Sequence, residues 1–153
     1  MYAFDISSRL AAPAERVWAH AVDLRGVNRE LMPLCRMTYP KGRSTLGGEL
    51  PPLRTRLFRS WILLFGVLPI DYDDLVLEEL VPGHHFQEAS TLLTQRVWRH
   101  RRTIEPAAGG CTVTDELQFE PRVALLGRLH LATFRLAFRL RHWNLRRLFG
   151  SAN

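Results

Sequence analysis

The chain has 153 residues, 46% of them hydrophobic and 24% charged, with 21 lysines and arginines against 15 aspartates and glutamates. This is the composition of a folded soluble protein, and the length suits one core, so we expect a single domain over residues 1–153. The basic excess lies in residues 122–153, which hold seven arginines and no acidic residue. Because no nucleic-acid-binding motif accompanies these arginines, a nucleic-acid partner is not expected.

The sequence carries no evident targeting, membrane or metal-binding signal. The N-terminus lacks the basic leader and apolar run of a secretory signal. The longest apolar run, residues 61–70, is well short of the roughly 20 residues of a membrane-spanning helix. Cys35 and Cys111 have no metal-ligand spacing and are expected to be reduced thiols. We therefore predict a cytoplasmic protein with no metal and no cofactor.

The N-terminal third predicts one strand and two short helices. Residues 2–10 alternate apolar and polar side chains, which is typical of a half-buried strand. Pro13 and Glu15 fit the first turn of a helix of about ten residues. A second short helix is predicted over residues 27–34. Residues 40–52 are rich in glycine, proline and serine and are predicted to form a loop.

The rest of the chain predicts a strand series and a long helix. Over residues 54–66 a four-residue apolar period coincides with a β-rich run, so helix and strand both stay open. From residue 72 onward, turn signals at 81–84 and 107–110 separate segments typical of antiparallel strands. These strands are predicted over residues 72–81, 85–92, 95–105 and 111–121. Residues 123–149 contain one glycine and no proline and predict a long helix.

The predicted hairpin of residues 95–121 has a polar group on its inner face. Period two places Trp98, His100 and Arg102 on that face and the odd-numbered arginines on the solvent side. The inner face of the next strand is apolar apart from Asp115. Two registers stay open, with either Arg102 or His100 opposite Asp115. Since a buried carboxylate requires such a partner, we expect a polar cluster that either satisfies itself or orients the head group of a ligand.

Four motifs follow one another along nearly the whole chain. They are SRLAAPAERVW (8–18), LVPGHHF (80–86), WRHRR (98–102) and GGCTVTD (109–115). The first resembles the opening of the START-like ligand-binding superfamily (SRPBCC), which includes polyketide cyclases, lipid-transfer domains and birch-pollen-allergen-type proteins. The others are similar to the bacterial, uncharacterised branch of that superfamily.

The resemblance implies an α+β helix-grip fold. In that fold a curved antiparallel sheet wraps a long C-terminal helix, two short helices follow strand one, and a cavity lies between sheet and helix. The chain shows no catalytic set of the enzymatic branches, so enzyme activity does not carry over from the resemblance.

The predicted long helix has two apolar faces at 100° per residue. One, called the leucine face, is expected to grip the sheet and roof the cavity; it holds Leu125, Leu129, Ala132, Leu136, Leu140 and Trp143. The other, called the phenylalanine face, lies almost opposite and holds Leu131, Phe134, Phe138, Leu145 and Phe149. A stripe of arginines borders the leucine face. Since one face suffices to cover a sheet, the second needs another cover: the short helices or the 41–53 loop, a homodimer interface, or an anionic membrane surface.

The main functional hypothesis is a binding module for a small hydrophobic or amphipathic ligand. His100, Arg102 and Asp115 would fix the polar end of the ligand. The apolar walls would come from Trp98, Leu117, Phe119, Leu129 and Leu136, with Trp61 and Phe65 as further candidates. An alternative is a cyclase- or dehydratase-type enzyme in which His100 acts as acid or base and Asp115 orients it. A third hypothesis is a membrane-surface or protein-interaction domain that uses the long helix.

Overall fold

The computed structural model describes residues 1–46 and 52–152, and this part of the chain folds into seven strands and three α-helices. The strands are β1 (Tyr2–Leu10), β2 (Cys35–Met37), β3 (Arg56–Leu64), β4 (Leu68–Val81), β5 (His85–Leu92), β6 (Gln95–Ala107) and β7 (Gly110–Pro121). The helices are α1 (Ala14–Ala21), α2 (Leu24–Leu31) and α3 (Gly127–Phe149), and a 3-10 turn (Ala124–Leu126) precedes α3. No helix in the described ranges is long and apolar enough to cross a membrane.

The strands form one antiparallel sheet in the order β1-β7-β6-β5-β4-β3-β2. Because α1 and α2 connect β1 to β2, the first two strands lie at opposite edges of the sheet. The sheet curls around α3, and this confirms the predicted α+β helix-grip architecture. The β6–β7 turn has Gly109 at φ +76°, a conformation that glycine adopts without steric cost.

Most predicted elements match the structure within a few residues. β1 has the predicted bounds, and the open segment 54–66 is the strand β3. β2, with three residues, was too short to give a periodic signal. Residues 40–46 and residue 52 of the predicted loop have no regular helix or strand, and residues 47–51 lie outside the described residues.

The second helix begins earlier than predicted. α2 starts at Leu24 rather than at residue 27, because Asp23 caps it: the Asp23 side chain accepts a hydrogen bond from the backbone N–H of Arg25 at 2.9 Å. An aspartate at this position satisfies a backbone donor that the first helical turn leaves free. The capping signal therefore decides the helix start better than the apolar spacing does.

The prediction that the leucine face grips the sheet is wrong. Leu125, Leu129 and Leu136 expose 94%, 61% and 61% of their surface. Phe138 and Leu145 of the phenylalanine face are buried instead. The helix is thus turned so that Leu129 and Leu136 lie outside, away from the space between α3 and the sheet.

Polar contacts explain the orientation of α3. Its buried side also carries Arg141, His142 and Asn144. The side-chain amide of Asn144 donates to the backbone carbonyls of Glu30 and Met32, at 2.8 and 3.0 Å, which ties α3 to the end of α2. Arg141 and His142 bond to buried carboxylates described below. Turning the leucine face inward would remove the donors that α3 supplies to these buried carboxylates, at a cost that apolar burial would not offset.

Candidate functional site

A cavity of about 190 Å³ lies between the sheet and the inner side of α3. Its lining is mostly apolar: Leu31, Leu34, Met37, Ile62, Leu64, Ile70, Leu92, Trp98, Phe134, Ala137 and Phe138. Its charged and titratable lining residues other than Cys35 are Asp71, Asp73, Glu88, His100 and Arg141. An apolar cavity with a few polar groups is the usual form of a small-molecule site.

The structure brings only two of the predicted ligand-binding residues to the cavity, Trp98 and His100. Leu117 and Phe119 are buried in the core of the sheet and do not line it. Arg102 and Asp115 are buried beside it and are fully engaged with other side chains.

Four further predicted wall residues do not line the cavity, and local geometry explains why. Trp61 points to the outer face of β3, where it packs edge-on against Tyr72 with ring centres 5.5 Å apart. Ile62 and Leu64, one residue out of phase with Trp61, point into the cavity instead. Phe65 lies in the β3–β4 turn at φ +51° and is exposed. Leu129 and Leu136 do not line the cavity because α3 is turned the other way.

Asp115 on β7 accepts hydrogen bonds from three side chains. Arg102 pairs with it in the β6–β7 register and donates from Nε and Nη2 at 2.8 and 2.7 Å. His100 and His142 each donate from Nε2, at 2.8 and 2.9 Å. Burial alone would raise the pKa of Asp115, but Arg102 and His100 together hold it well below its ordinary value. The prediction of a cationic partner is confirmed, and both residues weighed for that role contact Asp115.

Glu30 on α2 is a second saturated carboxylate, which the sequence did not suggest. It accepts from Nη1 of Arg102 at 2.8 Å and from Nε and Nη2 of Arg141 at 3.1 and 2.9 Å. Burial would raise the pKa of Glu30, yet the two arginines lower it far below its ordinary value. Arg102 therefore bridges the two carboxylates, and this joins β6, β7, α2 and α3 into one polar network.

His100 lies at the end of this network that faces the cavity. Its Nε2 donates to Asp115, and its Nδ1 lies 3.7 Å from Oε2 of Glu88. Burial would lower the pKa of His100, but Asp115 and Glu88 raise it above its ordinary value. The two carboxylates on either side of the ring therefore favour its protonated form.

Asp73 on β4 and Glu88 on β5 form a pair of buried carboxyl groups at the cavity. Burial and the charge of Glu88 raise the pKa of Asp73 well above its ordinary value. Burial also acts to raise the pKa of Glu88, but its contact with His100 outweighs this and lowers it. Oδ1 of Asp73 and Oε1 of Glu88 have no hydrogen-bond partner among the described residues. We call these two residues the acid pair.

The acid pair was missed although strand periodicity could have revealed it. In β4, the alternation that buries Leu75 and Leu77 also buries Asp73. In β5, the alternation that buries Phe86 and Leu92 also buries Glu88. The register brings Glu88 opposite His100, so the pair continues the polar group that the β6–β7 hairpin predicts.

The fold and this cavity place the protein among α+β helix-grip proteins. Within that class, the chain belongs to the family of the domain of unknown function DUF8410, whose model matches residues 8–149. No curated protein matches the sequence at a significant level.

Solved structures support the fold at low sequence identity. Protein CV1439 from Chromobacterium violaceum has a TM-score of 0.71 and 17% identity, covering 99% of this chain and 100% of its own. DynU16, a protein of the dynemicin biosynthetic locus, has a TM-score of 0.60 and 13% identity, covering 99% of this chain and 49% of its own. Ara h 8.0201 has a TM-score of 0.59 and 10% identity, covering 94% of this chain and 97% of its own. At these identities the likeness concerns the fold.

Proposed function

We propose that the chain is a START-like binding module that holds a small hydrophobic or amphipathic molecule in the cavity between the sheet and α3. The observation that carries this proposal is the lining itself, in which apolar walls from the sheet, α2 and α3 surround the acid pair and His100. The volume of about 190 Å³ is below the roughly 300–1,000 Å³ of drug-sized sites, so the ligand is a single ring or a short chain.

The geometry of His100 supports binding rather than the alternative of acid–base catalysis. Both ring nitrogens face carboxylates, Asp115 on one side and Glu88 on the other. An imidazolium held in this way is poorly placed to exchange a proton with a substrate, because transfer would break a buried charged hydrogen bond. Its role in the proposed site is to position Glu88 and to close the polar side of the cavity.

Filling the cavity tests this function. Ala137 lies on α3 and lines the cavity, so Ala137→Phe should occupy the space and remove binding of 2-phenylethanol, measured by isothermal titration calorimetry. Ala132→Phe adds the same ring to the exposed side of α3 and should leave binding unchanged. Equal binding in both variants would reject the cavity as the site. Native mass spectrometry of the purified protein shows whether a small molecule of this size is retained.

The leucine face supports a second proposal, contact with an anionic membrane surface. Leu125, Leu129 and Leu136 are exposed, and α3 also carries exposed arginines and no acidic residue. Apolar side chains that insert between lipids, bordered by cations that meet anionic head groups, are typical of interfacial helices.

Vesicle binding tests the second proposal. The protein should sediment with phosphatidylglycerol vesicles more than with phosphatidylcholine vesicles, and Leu129→Asp with Leu136→Asp should abolish this. Leu93→Asp changes an exposed leucine of the β5–β6 connection and is the matched control. A dimer that the double variant dissolves, seen by size-exclusion chromatography without vesicle binding, would assign the face to a second copy of the chain instead.

A further inference from the structure

We infer that the acid pair makes the cavity selective for small amphipathic amines, with the protonated nitrogen against Asp73 and Glu88 and the hydrocarbon part against the apolar wall. This inference rests on the proposed function and names the class of ligand that the cavity takes. It differs from the expectation that His100, Arg102 and Asp115 fix the polar end, because the last two are saturated and do not line the cavity.

Unpaired acceptor atoms are the first reason. Asp73 and Glu88 expose only 3% and 7% of their surface, and both line the cavity. One oxygen of each, Oδ1 of Asp73 and Oε1 of Glu88, has no hydrogen-bond partner among residues 1–46 and 52–152. A buried acceptor without a donor is unfavourable. An alkylammonium group carries up to three N–H donors and no acceptor, so one ligand nitrogen can satisfy both oxygens.

The charges around the acid pair are the second reason. Two cations face it: His100 from β6 and Arg141 from α3. Asp115 and Glu30 also bind Arg102, so the cations Arg102, Arg141 and His100 are matched by three carboxylates, which are Asp115, Glu30 and Glu88. Asp73 is then left without a cationic partner among the described residues.

Asp71 is a further carboxylate in the lining of the cavity. It accepts hydrogen bonds from the side chain and the backbone N–H of Thr94 and from the backbone N–H of Tyr72. No arginine contacts it in the described part of the chain. The lining thus presents more carboxyl groups than uncommitted cations. A ligand carboxylate would be repelled there, whereas a ligand cation would complete the charge balance.

The titration of Asp73 agrees with this assignment. Burial and the charge of Glu88 raise the pKa of Asp73, so a proton competes with the ligand cation for this position. An ammonium group would displace that proton. Amine binding should therefore release a proton and tighten as the pH rises, as long as the amine itself stays protonated.

Three probes of nearly equal size and different charge test the inference: 2-phenylethylamine, 2-phenylethanol and phenylacetate, each titrated calorimetrically at neutral pH. A charged hydrogen bond to the acid pair predicts that the amine binds about tenfold to a hundredfold more tightly than the alcohol, and that phenylacetate binds most weakly.

Asp73→Asn should bring the affinity for the amine to within about threefold of the affinity for the alcohol, while the affinity for the alcohol stays unchanged. Glu88→Gln is a second variant with the same expected direction. Asp74→Asn removes the neighbouring carboxylate, which faces outward and pairs with Arg59, and should change none of the three affinities.

The outcomes separate this inference from the proposed function. Equal binding of amine and alcohol by the native chain, or an amine preference that survives both Asp73→Asn and Glu88→Gln, overturns the amine assignment and leaves the cavity as a site for neutral ligands. The proposed function itself is overturned if the native chain binds none of the probes, or if Ala137→Phe binds them as the native chain does. Stronger binding of phenylacetate than of the amine would contradict the charge balance on which the inference depends.

Discussion

Asp115 and Asp73 are both buried on the inner face of the same sheet, but they differ in their hydrogen bonds and in the direction of their pKa shifts. Asp115 on β7 accepts four hydrogen bonds from Arg102, His100 and His142, and its pKa is lowered despite burial. Asp73 on β4 has an oxygen without a partner in the described part of the chain, lies beside Glu88, and has a raised pKa. Both would be neutralised by burial alone, so the donors around each carboxyl decide its charge.

The difference separates a structural site from a site that is open to a ligand. The Asp115 network binds Arg102, Arg141 and His142 to internal carboxylates and connects α2 and α3 to the sheet. The acid pair borders the cavity, and one oxygen of each carboxyl has no hydrogen-bond partner among the residues that the structure describes. A buried polar group therefore indicates a ligand site only when some of its hydrogen-bonding atoms lack a partner within the protein.

The largest effect is expected from Arg102→Met. This change leaves both Asp115 and Glu30 buried with fewer donors, so the free energy of unfolding should fall by about 3–5 kcal/mol, measured by urea denaturation. Arg101→Met, on the outer face of the same strand, should change it by no more than about 0.5 kcal/mol. A similar small loss in both variants would show that the network contributes little to stability.

The fold was largely predictable from the sequence because strand alternation and turn signals are local. The inner faces of β6 and β7 followed from period two, which left either Arg102 or His100 opposite Asp115; the structure has Arg102 there. The same period applied to β4 and β5 would have placed Asp73 and Glu88 inside. The strand prediction depends on the apolar positions alone, so the two inward acids did not enter it.

The orientation of α3 and the role of Glu30 were not predictable in the same way. Hydrophobicity favours the leucine face as much as the phenylalanine face, and the choice depends on where Arg141 and His142 find partners. Those partners lie far away in the chain: Glu30 is 72 residues from Arg102 and 111 residues from Arg141. No local pattern reports such pairing, so contacts of this kind need the folded structure.

Low pH should destabilise the folded protein through the network that contains Asp115 and Glu30. Asp115 and Glu30 have lowered pKa values in the folded protein, so the unfolded chain takes up protons first as the pH falls below their ordinary values of 3.8 and 4.5. The free energy of unfolding should then fall by about 1.4 kcal/mol per pH unit for each group, roughly 2–3 kcal/mol for both, in urea titrations between pH 5 and pH 3. Arg102→Met should show a shallower fall, since its carboxylates begin with less depressed pKa values. An equal slope in the variant would assign the acid sensitivity to other carboxylates.

His100→Asn should affect both sites, because His100 contacts Asp115 in the network and Glu88 in the acid pair. The change removes a buried charged hydrogen bond to Asp115, so a loss of about 2 kcal/mol in the free energy of unfolding is expected. It also removes the contact that lowers the pKa of Glu88, and NMR titration of the carboxyl carbons should show that pKa rising. His84→Asn, at the exposed β4–β5 turn, serves as the control and should leave the Glu88 pKa in place. A stability loss without movement of Glu88 would mean that the acid pair titrates independently of the network.

The smallest effect, and the one of opposite sign, is expected from Asp73→Asn. The pKa of Asp73 is raised in the folded protein, so stability is lost as the pH rises above its ordinary value of 3.8 towards the folded value. Asparagine has no carboxyl group to ionise and can donate to Glu88. The free energy of unfolding of the variant, measured by urea denaturation, should therefore exceed that of the native chain by about 1 kcal/mol at pH 7 and equal it at pH 3. Asp74→Asn should show the reverse, a small loss at pH 7, because Arg59 lowers the pKa of Asp74.

A gain from Asp73→Asn means that the native chain keeps a destabilising carboxyl at its cavity, which is expected of a residue retained for a ligand rather than for folding. A loss at pH 7 would place Asp73 with Asp115 as a structural group.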